Sequence, residues 1–186
     1  MIRSIAGEYR RYKALAEGAF AQLTDEELCR PGPGGGSSVG GGSSVATVAW
    51  HVAGNLKSRF TDFLTTDGEK PWRDRESEFA ERRVSGDELV RKWGDGWEAL
   101  LSALAELSAD DASRTVTIRG QEHSVREALL RSLAHTSYHV GQIVYLAKAM
   151  RGASWRTLSI PPGGSAAYNR NPTRERAPGT EPTNRR

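Results

Sequence analysis

The chain has 186 residues, of which 37% are hydrophobic and 26% charged, enough for one domain with a core but not comfortably for two. The formal charge of +3 sits in residues 170–186, where Arg170, Arg174, Arg176, Arg185 and Arg186 outnumber Glu175 and Glu181, so the body is neutral and a nucleic-acid surface on it is excluded. No run approaches the roughly 18 apolar residues of a membrane helix, Met1–Arg10 lacks a signal-peptide apolar region, and the single Cys29 excludes an internal disulfide and fits a reducing, cytoplasmic compartment.

Residues 2–23 place Ile2, Ile5, Tyr9, Tyr12, Leu15, Ala16, Ala19 and Leu23 three or four apart, which predicts an amphipathic helix. Thr24-Asp-Glu-Glu27 reads as a capping box opening a short extra turn, with Cys29 an ordinary small residue near its end. Pro31 to Gly42 is expected to be a loop, and GGGSSV occurs there twice in tandem (34–39 and 40–45). It lacks the Lys-Ser/Thr ending of a phosphate-binding loop, so a local duplication is the better reading.

A second helix is predicted over 44–66, capped by Ser43 or Ser44 and stopped by Asp67-Gly68. A charge-rich connection follows from Glu69. Ser85-Gly-Asp-Glu88 is a second capping box, opening a third helix to about Leu107 with Leu89, Trp93, Trp97, Leu100, Leu101 and Leu104 as its apolar positions. Gly94 and Gly96 weaken that helix by roughly 1 kcal/mol each relative to alanine. Thr115–Gly120 alternates at period two and predicts a short strand or hairpin arm. Ser124-Val-Arg-Glu127 is a third capping box, from which the fourth helix runs to about Arg151 with Gly152 as its stop. The expected architecture is an all-α four-helix bundle over residues 1–168, with a short β-like or irregular segment before the last helix. Residues 169–186 form a basic tail expected to be disordered.

The chain has histidines at 51, 123, 135 and 139. His135 and His139 are four apart on the fourth helix and stack on one face, on a stripe through Val125, Ala128, Ser132, Ile143 and Leu146. Two neutral imidazoles one turn apart can chelate one zinc-like ion, and the third ligand must then come from another helix. His51 meets that need, on a stripe through Val48, Asn55, Arg59 and Asp62 that starts apolar and turns polar. A polar inward stripe costs stability unless it is paired or used. The alternative for each histidine is a hydrogen-bonded core residue, and for Asn55, Arg59 and Asp62 an internal salt-bridge network. His123 is expected to face solvent from a loop.

The segments His-Val-Ala-Gly-Asn-Leu-Lys-Ser-Arg-Phe-Thr-Asp-Phe-Leu-Thr-Thr-Asp-Gly-Glu-Lys-Pro-Trp-Arg (51–73) and His-Thr-Ser-Tyr-His-Val-Gly-Gln-Ile (135–143) resemble the DinB/YfiT-like superfamily of metalloenzymes. More narrowly, they are similar to a bacterial branch of it defined as a domain of unknown function. The resemblance spans roughly residues 1–168. It implies a four-helix bundle with a long crossover and a metal site open at one end, with His51, His135 and His139 as ligands. Superfamily members include thiol-dependent transferases and isomerases that use low-molecular-weight bacterial thiols, alongside stress-induced proteins. The segment Asn55–Arg73 is not the substrate-binding sequence of those thiol transferases, so the resemblance carries the metal further than the reaction.

The expectation is therefore an enzyme holding one divalent ion (zinc, nickel or iron) and activating a low-molecular-weight thiol or water toward a small electrophilic substrate. Arg59 would bind a carboxylate, and Asn55 and Gln142 would orient ligand or water. Asp62 lies about 16 Å from His51 along a continuous helix and cannot share the ion. No helix carries the Glu-x-x-His spacing of a di-iron bundle. The alternative is a non-catalytic metal-binding stress-response protein, a homodimer if Trp72, Trp93, Trp97 and Trp155 are not all buried in one bundle.

Overall fold

A computed structural model describes residues 1–32, 43–173 and 175. Helix α1 spans Ile2–Phe20, and Thr24 opens the short α2, Asp25–Cys29. The Thr24 hydroxyl accepts from the Glu27 amide and the Glu27 carboxylate from the Thr24 amide, so the box closes reciprocally. Helix α3, Val45–Phe60, begins at Ser44, whose Oγ accepts from the Thr47 amide at 3.0 Å. In α4, Gly86–Glu106, only one arm of the expected box forms: Ser85 Oγ accepts from the Glu88 amide.

The alternating segment is a two-stranded antiparallel hairpin of β1, Thr115–Ile118, and β2, Gln121–Ser124. Arg119 and Gly120 turn it with φ of 54° and 72°, a two-residue turn with both central residues left-handed. Ser124 then closes a full capping box with Glu127 and opens α5, Val125–Arg151, which ends at Gly152 with φ 50°. His123 therefore lies on β2 opposite Val116, half-buried, rather than in an exposed loop. A short α6, Ser165–Asn169, straddles the expected boundary at 168.

The four long helices close a ring in which α1 packs on α4 and α5, and α3 on α4 and α5. The expected four-helix bundle, with a short hairpin before its last long helix, is the observed fold. Its core is aromatic on the α1–α4 side. Tyr9 stands edge-on to Trp97 at 6.0 Å and to Phe60 at 6.4 Å, and Phe20 edge-on to Trp93 at 5.3 Å. Trp93 and Trp97 are fully buried here, which removes them from the argument for a dimer, while Trp72 remains exposed. Gly96 lets α4 approach α3 closely, since a Cβ there would stand 2.5 Å from the Ala53 carbonyl oxygen.

Two expectations are corrected. Helix α3 stops at Phe60 rather than Thr66, because the chain after it is drawn to the hairpin. The Gly68 amide donates to the Thr117 carbonyl, Asp67 accepts from the Arg119 and Gly120 amides, and Ser58 Oγ donates to the Gly68 carbonyl, each at 2.8 Å. These contacts win over local helix propensity. The buried stripe of α5 keeps Val125, Ala128, Ser132 and Ile143 of the expected one but continues through Leu129, Thr136, Val140 and Ala147. His135, His139 and Leu146 flank it, half-buried. Among the described residues no helix is long and apolar enough to cross a membrane. Residues 34–42 of the doubled hexapeptide, and residues 174 and 176–186 of the tail, lie outside the described residues.

Candidate metal centre

His51 is presented by α3 and His135 and His139 by α5, where the two helices pack together. Each offers one ring nitrogen, and the three nitrogens lie within 4.8 Å of one another. The rings meet edge-on rather than stacked: centroids are 5.3 Å apart at 73° for His51 and His135, 5.0 Å at 76° for His51 and His139, and 4.5 Å at 77° for His135 and His139. Edge-on convergence aims nitrogens, not ring faces, at one point.

The fit to a metal is tested by distances and by what holds the outer nitrogens. His51 Nε2 and His135 Nε2 are 3.3 Å apart. Two nitrogens bound at about 2.05 Å to one tetrahedral ion stand about 3.3 Å apart, so this pair already spans the edge of a ligand tetrahedron. His51 Nδ1–H donates to Glu78 Oε2 at 2.8 Å, and His139 Nδ1–H donates to Gln142 Oε1 at 2.7 Å. In each ring the outer nitrogen holds the proton and the inner one keeps its lone pair, the arrangement that metal-ligating histidines use. Burial, then the neighbouring His139, His51, Arg73 and Arg59, pushes the His135 imidazole down to about 3. Burial lowers His139 as well, against the opposing effect of the hydrogen bond it donates to Gln142. Both rings are thus neutral donors near neutral pH. The residues fit a divalent ion.

Behind His51 stands a carboxylate–guanidinium pair. Arg73 grips Glu78 with two parallel hydrogen bonds, Nε to Oε1 at 2.9 Å and Nη2 to Oε2 at 2.8 Å. Burial works to raise the Glu78 carboxyl, but the hydrogen bonds from His51 and Arg73 outweigh it and hold the carboxyl below its usual range. Glu78 comes from a single 3-10 turn, Glu76–Phe79, in the connection between α3 and α4. It reaches His51 because Gly54 leaves room: a Cβ on Gly54 would sit 2.1 Å from Glu78 Oε1. Phe79 then lies over the His51 ring at 4.6 Å.

Of the residues expected from the sequence, His51, His135 and His139 come together, and Gln142 supports His139. Asn55 and Arg59 line a cavity of about 210 Å³ whose wall includes His51 and His135. Asp62 does not join them. It is exposed beyond the end of α3 with φ 48°, since the helix that would have carried it inward ends two residues earlier. Glu78 and Arg73 were not singled out. Their local sequence is a charged connection indistinguishable from a solvated one; the only signal was Gly54, a helix-interior glycine beside a buried histidine.

Fold and site together define a helical-bundle protein with a three-histidine group able to hold a metal ion. The chain belongs to the family described as Protein of unknown function (DUF1572), whose model matches residues 1–164. No curated protein matches the sequence.

Proposed function

We propose that this protein is a metal-dependent enzyme in which His51, His135 and His139 hold one divalent ion, zinc, nickel or iron, beside a pocket for a small substrate. The observation that carries the reading is the 3.3 Å separation of the inward His51 and His135 nitrogens, with Glu78 and Gln142 occupying the outer nitrogens of His51 and His139. Among the described residues the group has three members and no fourth, which favours an open position over the filled shell of a structural site. The sequence resemblance to the DinB/YfiT-like superfamily supports the same ligand set.

A divalent ion held by three imidazoles supplies, when bound, a Lewis acid that lowers the pKa of a thiol or water and so provides a nucleophile near neutral pH. The chain's own residues do the rest. Glu78 keeps the His51 proton on Nδ1 and fixes the ring, and Arg73 holds Glu78. Gln142 does the same for His139 while its amide donates to Tyr138 Oη. Phe79 covers one face of His51 and limits water. In this reading a low-molecular-weight thiol or water is the nucleophile and a small electrophile the acceptor.

Elemental analysis of untagged protein tests it, comparing wild type with His51→Ala, His135→Ala and His139→Ala. About one ion per chain is expected, lost in each folded variant. No metal in the wild type after incubation with zinc, nickel and iron overturns the proposal. Metal retained, with no consumption of cysteine or glutathione in the presence of an electrophile and no hydrolysis, would leave the non-catalytic metal-binding reading in its place.

A further inference from the structure

The cavity beside the histidines carries more positive charge than its ion pairs consume. Five guanidiniums line it, Arg59, Arg73, Arg75, Arg119 and Arg131, and no carboxylate does. Three acids reach these arginines from outside the wall. Glu69 is shared among Arg59 at 3.6 Å, Arg73 at 3.8 Å and Arg119 at 2.9 Å. Glu78 pairs with Arg73 at 2.8 Å, and Glu76 with Arg75 at 2.9 Å. Asp67, whose charge also acts on Arg59, is a fourth anion, and the five cations still outnumber the acids.

One terminal nitrogen on each of the two innermost arginines also lacks a hydrogen bond, with Glu69 only at ion-pair distance, 3.6 Å from Arg59 Nη1 and 3.8 Å from Arg73 Nη1. Arg59 Nη1 and Arg73 Nη1 are buried with no hydrogen-bond partner. The Arg73 side chain is 2% exposed and that of Arg59 15%. A buried charged N–H left unpaired is costly, so two such donors around one cavity call for an acceptor group to fill it. The opposite lining is apolar, from Phe60, Phe63, Ile118 and Ala128.

We propose that this cavity is the subsite for a small carboxylate-bearing substrate, a deduction that rests on the metal-enzyme reading of the adjoining histidines. The carboxylate accepts from Arg59 and Arg73, where the planar guanidinium fork matches it. The apolar part of the molecule lies along Phe60, Phe63 and Ile118. Its reactive end then faces His51 and His135, which share the wall with the arginines. The rim arginines Arg75, Arg119 and Arg131 are exposed and steer anions inward.

Calorimetric titration at constant ionic strength, on both zinc-loaded and chelator-treated full-length protein, tests this. The probes are sodium benzoate, benzyl alcohol, benzylammonium chloride and inorganic phosphate. Benzoate is expected to bind at least about tenfold tighter than benzyl alcohol, with benzylammonium excluded, the discrimination of a charge-assisted pair. Arg59→Met should weaken benzoate about tenfold or more, and the exposed Arg91→Met on α4 should leave it unchanged. Arg119→Gln, at the rim, should weaken it a few-fold and reports even if Arg59→Met fails to fold. Equal binding of benzoate and benzyl alcohol, preference for phosphate, or wild-type affinity in Arg119→Gln and in a folded Arg59→Met would overturn the proposal. Benzoate binding that survives in protein that takes up no metal would uphold the subsite and sink the enzyme reading; metal uptake without benzoate binding would do the reverse.

Discussion

Helix α3 is buried on two sides, and a glycine shapes each of them differently. Toward α4, Trp50 stacks under Lys92, Ala53 meets Gly96, and Lys57 pairs with Asp95 at 3.7 Å, a row spaced three and four apart. There the missing side chain of Gly96 admits backbone. On the other side His51, Asn55 and Arg59 form a second row, and the missing side chain of Gly54 admits the Glu78 carboxylate. Close approach of backbone serves packing, whereas close approach of a carboxylate serves only the imidazole it orients. A polar inward row costs stability that a plain core would not spend, so its retention points to use.

The largest effect is expected at Gly96. A methyl there would stand 2.5 Å from Ala53 O and 2.7 Å from Ala53 Cα, and backbone cannot swing aside. Gly96→Ala should force α3 and α4 apart and lower stability by about 2–4 kcal/mol, measured by urea denaturation. Metal stoichiometry of the folded fraction should stay at the wild-type value, because His51 faces α5 rather than α4 and the other two histidines are on α5 itself. An unchanged midpoint would mean the helices are not held at this spacing.

Gly54→Ala should give the opposite pattern. Its methyl meets the end of a side chain, at 2.1 Å from Glu78 Oε1, so Glu78 moves and the helix gains alanine's propensity. Stability is expected within about 1 kcal/mol of wild type, while metal affinity falls about tenfold to a hundredfold as His51 loses its orienting carboxylate. Competition with a chromophoric chelator measures it. Glu78→Gln sits lower on the same scale, about tenfold, because the amide still accepts from His51 Nδ1–H but no longer holds the charge of Arg73. Wild-type affinity in both variants would show that the carboxylate does nothing for the site.

What could be read from the chain before folding follows the same division. The caps at Thr24, Ser44, Ser85 and Ser124, the glycine stop at 152 and the i,i+4 histidines are local, and each is where its own residues put it. His51 could be joined to the pair because two ligands require a third. The long-range features were not legible. Helix α3 ends early because Gly68 and Asp67 bond to a hairpin some fifty residues further on, which moves Asp62 off the stripe it was expected to share. Glu78 approaches His51 from 27 positions away, out of a charged connection with no periodicity to mark it. The α5 histidines flank the buried stripe rather than centre it, because α5 packs against both α1 and α3, and that offset leaves the cluster accessible from the cavity.

The smallest effect belongs to Gly94, two residues before Gly96 on the same helix. Nothing lies within 4 Å of a Cβ placed there, and the residue is in the interior of α4 with no positive φ to protect. Its cost is therefore only the propensity of glycine against alanine, and Gly94→Ala should stabilise the protein by about 0.5–1 kcal/mol through the lost freedom of the unfolded chain. Metal content and chelator competition should match wild type. Thermal unfolding of Gly94→Ala beside Gly96→Ala then separates helix propensity from helix spacing, since both variants make the same change on the same helix and only one meets a neighbour. Destabilisation at Gly94 of the size expected at Gly96 would show that α4 itself, rather than its approach to Ala53, is what the glycines adjust.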